Sequence, residues 1–595
     1  MSKPSEHRSG TFRLLMGYVI ADRGLLAKAI FLLVLATGLD VLGPILAKIF
    51  IDDFIVPDRY PIWPIAAIII AFIATKIIGT ILRYQQTLKF TDIALAAVLD
   101  IRKRVFHHVL KLPMAYFDHA RTGQLVSRIT NDTESIKDLY VQFLSIVLTN
   151  VILLVGILIS MAILDFHLML VALALIPTVI GLIYIYQKLS GAAVAKSRQL
   201  RSDINAVVSE SIGGMAVIQA TNQQQNKLAQ FDDTNSGYYW ARLRTVQIGS
   251  FLLRPAISLL SILVLVGVIW IFGIQVVQGV AEIGVLYAFL NYLGRFTEPL
   301  ADITQRFNLY QQAMVAGDRV YSLLNEPSIV DHSEHQSADM TQGALSIQNL
   351  QFAYLKGKPI LKNINIEIPA GRFYAIVGHT GSGKSTLLSL LLNFYQPQQG
   401  KICIDGYPLD QFDHDTLRNG VGLIPQEPFI LASTIFDNID MGRKLTPQQI
   451  EQAARQAHLH QVIEQMSDGY RTHLGEGGLR LSTGQRQQLI IARALAGSPR
   501  ILLLDEATAS VDSETEQVVQ RALDDLRGKV TMIVVAHRLS TINHADQILV
   551  LSHGEIAEQG SHNQLMRKTN GLYQSMYQLQ QQAQKITQLE ESVVL

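Results

Sequence analysis

Two regimes of hydrophobic patterning divide the chain. Over the first half, apolar residues persist for windows near the ~20 positions a helix needs to cross a bilayer, at residues 27–49, 62–82, 143–164, 168–189, 251–274 and 283–300. One such window could be the buried helix of a water-soluble protein; six in one half of a chain are not explained that way. The connections 84–141 and 187–247 are too long and too helical in period to be loops, so they are expected to be membrane helices continuing into solvent. After residue 325 the apolar runs shorten to strand length, at 373–377, 401–405, 500–504 and 531–536, with a leucine-rich helix at 386–395. The predicted fold class is an all-α transmembrane domain of six helices fused to an α/β domain.

Charge orients the first half. Lys3, Arg8, Arg13 and Arg23 precede the first span, and the two long connections carry Lys89, Arg102, Lys103, Arg104, Lys196, Arg198 and Arg201, which marks those faces as cytoplasmic. The opposite connections are short and lysine-free, one holding Asp52, Asp53 and Asp58. The first apolar run lacks a small-residue cleavage site and is followed by further spans, so no cleavable signal peptide is expected. Composition agrees: 49% of residues are hydrophobic, 17% charged, and the mean hydropathy is +0.24, high for a water-soluble protein of 595 residues. A net charge of +1 provides no field that would recruit nucleic acid. Cys403, the only cysteine, excludes a disulfide within the chain, and buried packing is its expected role.

Candidate chemistry concentrates after the 373–377 strand, in Gly378, His379, Thr380, Gly381, Ser382, Gly383, Lys384, Ser385 and Thr386. Glycines in a strand-to-helix turn let backbone N–H groups converge on phosphates, Lys384 can reach the β- and γ-phosphates, and Ser385 can hold magnesium. ATP and Mg2+ are the cofactors this implies. A second apolar strand ends on two carboxylates, Asp505 and Glu506, a costly place for charge unless a cation is nearby. Asp505 suits the magnesium shell. Glu506 can polarise an attacking water, which hydrolysis requires and binding alone does not. A third strand delivers His537 at its carboxyl end, the edge of a parallel sheet where ligands collect.

Between these elements, Leu481, Ser482, Thr483, Gly484 and Gln485 resemble the LSGGQ signature of ATP-binding cassette transporters. The chain is similar to that family elsewhere and in the family's order. The resemblance implies that Tyr354 stacks on adenine, that Gln426 links magnesium to the membrane domain, that Ser510, Val511 and Asp512 form the D-loop, and that His537 steadies the γ-phosphate. Residues 117–132 and 210–220 resemble coupling regions that seat in grooves of the nucleotide domains. The implied layout is an N-terminal elbow at 1–26, a transmembrane domain at 27–324, a linker at 325–344, the cassette at 345–580 and a tail at 581–595. Six spans with a C-terminal cassette most resemble the B-type subunit of bacterial heterodimeric multidrug exporters of the Mdl/Smd kind. That implies an ATPase of the cytoplasmic (inner) membrane that moves small amphipathic substrates by alternating access, in contact with membrane lipid and paired with a second half-transporter.

One departure stands out. Thr483 occupies a signature position where the family usually has glycine, and a β-branched side chain there is expected to crowd the approach to the γ-phosphate. The signature serves the ATP held by the opposite chain, so the expectation is a heterodimer with one hydrolytic and one slow site; a homodimer that tolerates threonine is the alternative. A lipid flippase and an ATP-gated channel are the other readings of the same parts. Asp40, near the middle of the first span, is expected either to meet a cationic drug or to pair with Lys76 or another polar neighbour.

Overall fold

The computed structural model describes residues 4–20, 22–252, 254–277, 282–328, 338–355, 357–478, 480–505, 520–536 and 542–582. Contacts divide the chain into two units, Met1–Leu112 with Ala120–Pro327, and Pro113–His119 with Ser328–Leu595.

The first unit is helical. Among the described residues five helical stretches are long and apolar enough to cross a membrane: Arg23–Ile55, Ile62–Leu110, Thr122–Leu164, Phe166–Gly213 and Gln224–Val276. At 1.5 Å per residue the 49-residue helix Ile62–Leu110 is ~74 Å long, more than twice a ~30 Å hydrocarbon layer, so its polar half must stand in water as its sequence predicts. The sixth predicted window opens the 42-residue helix Ile283–Leu324. Asn291, Arg295 and Glu298 leave that helix less apolar than the other five, yet its Ala288, Phe289, Tyr292 and Phe296 are fully buried in one cluster with Ile157, Leu168, Val179 and Val268. The window predicted at 168–189 is split after Leu173: the helix Phe166–Leu173 is followed by Leu175–Gly213. Asp165 starts the first of these, its Oδ1 accepting from the N–H groups of His167 at 2.8 Å and Leu168 at 3.0 Å.

The second unit holds two sheets. Strands β1 (Leu345–Phe352), β2 (Leu361–Ile368), β4 (Gln399–Ile404) and β5 (Tyr407–Pro408) form an antiparallel sheet in the order β2-β1-β4-β5. Strands β3 (Phe373–Val377), β6 (Val421–Ile424), β7 (Ile501–Asp505), β8 (Thr531–Val535), β9 (Gln547–Ser552) and β10 (Glu555–Gly560) form a second, ordered β10-β9-β3-β8-β7-β6. All of its pairings are parallel except that of β10 with β9. Side chains alternate across a strand, so Phe373, Ala375, Val377, Leu502 and Leu504 enter the core shared with the helices, whereas Tyr374, Ile376, Ile501 and Leu503 face the antiparallel sheet. Burial on both faces is why these strands read as continuous apolar runs. Cys403 is buried on β4, as expected.

Strand β4 ends one residue short of the predicted 401–405. Asp405 and Gly406 take positive φ values of 50° and 86° and form the two-residue turn into β5. The Asp405 carboxylate accepts four backbone N–H bonds, from Thr341 at 2.8 Å, Gln342 at 2.9 Å, Gly343 at 3.1 Å and Ala344 at 2.8 Å, which fixes the chain just before β1. Burial works against its charge, but the four donors outweigh it and hold the carboxyl below the usual carboxylate range. A depressed folded pKa contributes stability above the unfolded value and loses it as pH falls through the folded one. Asp405 is partly solvated, which keeps the contribution near ~1 kcal/mol, so Asp405→Asn is expected to lower the cassette's unfolding midpoint by about 2–4 °C at pH 7. Thermal scans should show the gap between the two proteins closing below about pH 4; a gap that persists there would assign the loss to something other than this charge.

Candidate functional site

Strand β3 lies between β8 and β9, and Val535 is in register with both Ile376 and Asp505. The carboxyl ends of β3, β8 and β7 therefore stand side by side on one sheet edge. The phosphate-loop sequence leaves that edge after Val377 and enters the helix Lys384–Leu391. This helix begins earlier and ends sooner than the predicted 386–395. Gly383, at φ 106°, is its N-cap, and Asn393, at φ 54°, turns the chain away beyond its other end.

Glycine is dictated at two positions of the loop. A Cβ on Gly378 would lie 2.2 Å from the carbonyl oxygen of Leu551, and one on Gly383 would lie 2.7 Å from Leu361 Cδ2 in a left-handed backbone. Lys384 is only 6% exposed, and its Nζ donates to the carbonyls of Gly378 at 2.8 Å and His379 at 3.2 Å, which fixes the ammonium over the loop. Ser382 is 5% exposed, and its Oγ has no hydrogen-bond partner among the described residues. A buried, unpartnered hydroxyl inside a glycine cradle beside a fixed cation is a costly arrangement on its own and a serviceable one around phosphate oxygens. His379, Thr380, Gly381 and Ser385 line the exposed side of the same loop.

Tyr354 is 40% exposed and donates through its hydroxyl to Thr386 Oγ1 at 3.4 Å. The ring predicted to meet adenine is thus brought against the helix that follows the phosphate loop. It packs edge-on to Phe352 and Tyr395, with centroids 4.9 and 5.0 Å away. The Tyr395 hydroxyl in turn donates to Asp118, in the Pro113–His119 segment that packs with this unit although membrane helices flank it in sequence. Burial, then the neighbouring Asp118 carboxylate, raises the Tyr395 phenol well above its ordinary pKa, so the hydroxyl remains a donor at physiological pH. Sequence reading placed residues 117–132 against the nucleotide domain but not this tyrosine, because nothing local in the sequence pairs residues so far apart.

Ser482 caps the helix Thr483–Leu495: its side chain accepts from Gln485 N–H at 3.2 Å, and Gln485 Oε1 accepts from Ser482 N–H at 3.0 Å. Gly484 is buried, whereas Thr483 is exposed at the first helical position and its hydroxyl accepts from Arg486 at 3.1 Å. Gln426 is exposed in the segment after β6. Glu506, Ser510, Val511, Asp512 and His537 lie outside the described residues.

Sequence reading also missed Arg493. From the signature helix it donates to the carbonyls of Phe429 and Asn438, both at 2.7 Å, and to Asn438 Oδ1 at 2.8 Å, tying that helix to the chain that follows Gln426. Burial, then the nearby Arg443, lowers its pKa to about 10, so it stays charged at neutral pH. Truncating one member of such a network strands the others, so Arg493→Ala is expected to cost about 2–3 kcal/mol in urea unfolding of the cassette. A loss below ~0.5 kcal/mol would mean the network is dispensable.

Asp40 is paired, as one of its two readings expected. Its Oδ1 lies 3.7 Å from Lys76 Nζ, its Oδ2 accepts from Arg83, and its backbone carbonyl accepts from Arg295 at 3.1 Å.

Among the described residues no cluster of three His, Cys, Asp or Glu side chains could hold a metal alone. Magnesium does not need one: it keeps waters and takes phosphate oxygens with one or two protein oxygens, and the Asp505 carboxylate and Ser385 hydroxyl are hard donors that would suit it.

Comparison with known proteins agrees with this geometry. The chain matches the family description "ABC transporter transmembrane region" over residues 26–300 and "ABC transporter" over residues 361–509. It is 40% identical to the "Multidrug resistance-like ATP-binding protein MdlB" of Buchnera aphidicola over 564 residues, 95% of this chain and 97% of that relative. It is 36% identical to the "Putative ABC transporter ATP-binding protein exp8" of Streptococcus pneumoniae, over 95% of this chain and 96% of the relative. The solved structure of a bacterial Atm1-family ABC exporter with ATP bound superposes with a TM-score of 0.77 at 26% identity, covering 94% of this chain and 98% of that one.

Proposed function

Because this chain belongs to the ABC exporters, multi-pass membrane proteins that couple ATP hydrolysis to transport and whose half-transporters work in pairs, we propose that it expels drugs and other amphipathic small molecules across the bacterial cytoplasmic membrane as one half of a heterodimer. The observation that carries this reading is a cradle fit for phosphate, with buried Lys384 and unpartnered Ser382, in one chain with five membrane-length apolar helices.

In this mechanism Lys384 and the loop N–H groups hold the β- and γ-phosphates, Tyr354 holds the base, and Ser385, Gln426 and Asp505 are the residues that would hold magnesium. Magnesium, when bound, neutralises phosphate charge. Glu506 orients and deprotonates the attacking water, and His537 steadies the γ-phosphate as charge redistributes. Ser482, Gly484 and Gln485 serve the nucleotide of the opposite chain. ATP joins the two cassettes, the coupling segments carry that closure to the helices, and the substrate cavity turns from inward to outward; hydrolysis resets the cycle.

Thr483 supports the heterodimer. Its side chain is exposed at the first position of the helix Thr483–Leu495, with its hydroxyl engaged by Arg486; in this reading that helix end meets the partner's nucleotide, and the site built on this signature is the slow one. The experiment is to purify the full chain alone and together with the half-transporter that co-purifies with it. Hydrolysis by the chain alone is expected to be less than about a tenth of that of the pair; full drug-stimulated hydrolysis by the chain alone would reject the heterodimer.

A further inference from the structure

The charges around Asp40 do not balance. Lys76 Nζ lies 3.7 Å from Asp40 Oδ1, Arg83 donates to Asp40 Oδ2, and Arg295 donates to the Asp40 backbone carbonyl, which is dipolar and cancels no charge. Two cations thus share one carboxylate, and a third lies against the backbone of the same residue. Counting exposed Glu298, one turn beyond Arg295 on its helix, still leaves a positive charge over.

The positive members are also the more accessible ones. The side chains of Lys76 and Arg83 are 38% and 54% exposed, whereas that of Asp40 is 23% exposed. An approaching charged group meets nitrogen before it meets the carboxylate. Lys76 lies against its surroundings: its ammonium sits 5.9 Å from the Phe72 ring centroid and beside Gly43 of the neighbouring helix, where a Cβ would stand 3.7 Å from Nζ.

Depth defines the ligand further. From the start of the helix Ile62–Leu110, Lys76 is ~21 Å and Arg83 ~32 Å along the axis. With the long extensions cytoplasmic, Lys76 falls in the inner half of a ~30 Å hydrocarbon layer and Arg83 at its inner boundary. Ile69, Phe72 and Ile73, seven, four and three residues before Lys76, share its helix face and are 49%, 40% and 50% exposed. An apolar strip therefore leads outward from a cationic head position. An excess of cations over carboxylates at this depth is costly and marks a site where a further counter-charge arrives from elsewhere.

We propose that Lys76 and Arg83 form a headgroup site for anionic amphiphiles, carrying a carboxylate, phosphate or sulfate, whose apolar part lies along Ile69, Phe72 and Ile73. The inference rests on the export reading above and specifies its substrate class: Asp40 tunes an anion site rather than recruiting cations.

The test uses the full-length chain in its native dimer, reconstituted in phosphatidylcholine vesicles. Three probes share one tail: laurate, lauryl alcohol and dodecyltrimethylammonium, each titrated for stimulation of ATP hydrolysis. Half-maximal stimulation is expected at about tenfold lower concentration for laurate than for the trimethylammonium compound, an advantage that Lys76→Gln removes. Asp40→Asn is expected to shift the laurate midpoint about threefold lower, a gain that misfolding cannot mimic. A cationic preference, a laurate midpoint unmoved by Lys76→Gln, or a weakened laurate response in Asp40→Asn would overturn the site. Stimulation by all three probes without charge preference removes the site alone, and stimulation by none removes the export reading together with it. Repeating the laurate titration in phosphatidylglycerol vesicles separates the sources of the anion: a midpoint about tenfold higher shows the lipid headgroup competing for the site, and an unchanged midpoint restricts it to free amphiphiles.

Discussion

Replacing Glu506 by glutamine is expected to leave ATP binding intact and to lower steady-state hydrolysis by the assembled transporter by at least about a hundredfold, the usual scale for loss of a positioned general base. The amide keeps the size and hydrogen-bonding reach of the side chain but cannot accept the water's proton. Glu506 follows directly on β7, whose last residue, Asp505, is placed on the sheet edge by its register with Val535. The variant should therefore accumulate with nucleotide trapped between the cassettes. Phosphate release measured alongside nucleotide binding decides the matter: unchanged turnover would remove Glu506 from the catalytic role.

Lys384→Met is expected to act one step earlier. The substitution roughly preserves length and apolar contact and deletes the charge with its donors to the Gly378 and His379 carbonyls, so the helix Lys384–Leu391 and the buried residues around it should remain folded. The phosphates lose a charge-assisted donor worth about 2–3 kcal/mol, which corresponds to ATP affinity weaker by roughly 30- to 150-fold. Fluorescent-nucleotide titration should show this loss with an unaltered circular dichroism spectrum. The two variants together separate capture from cleavage: one binds without turning over, the other binds far more weakly.

Much of this was legible in the sequence, for identifiable reasons. Strand β3 coincides with the predicted 373–377 because both of its faces are buried and Gly378 marks its end. The long helices were legible because lipid demands unbroken apolar runs and their solvent-facing continuations keep a helical period. The helix Ile283–Leu324 was the least apolar of the set because Arg295 reaches another helix, and such a partner cannot be read from its own segment. Boundaries shifted where single residues took positive φ, at Gly383, Asn393 and Asp405. The phosphate loop declared itself through local spacing, whereas the Arg493–Asn438 network and the Tyr395–Asp118 bond depend on residues brought together only by folding. Asp40 shows the same limit: the expected pairing with Lys76 is found, and Arg83, also near, is a partner its sequence did not name.

The central claim, that nucleotide held by Gly378–Ser385 and cleaved with Glu506 drives amphiphile movement, is tested most directly by uptake into inside-out proteoliposomes containing the full-length dimer. A fluorescent amphiphile should accumulate in the lumen with ATP, and not when the dimer carries Glu506→Gln. Accumulation that proceeds equally without ATP, or in that variant, would contradict the account.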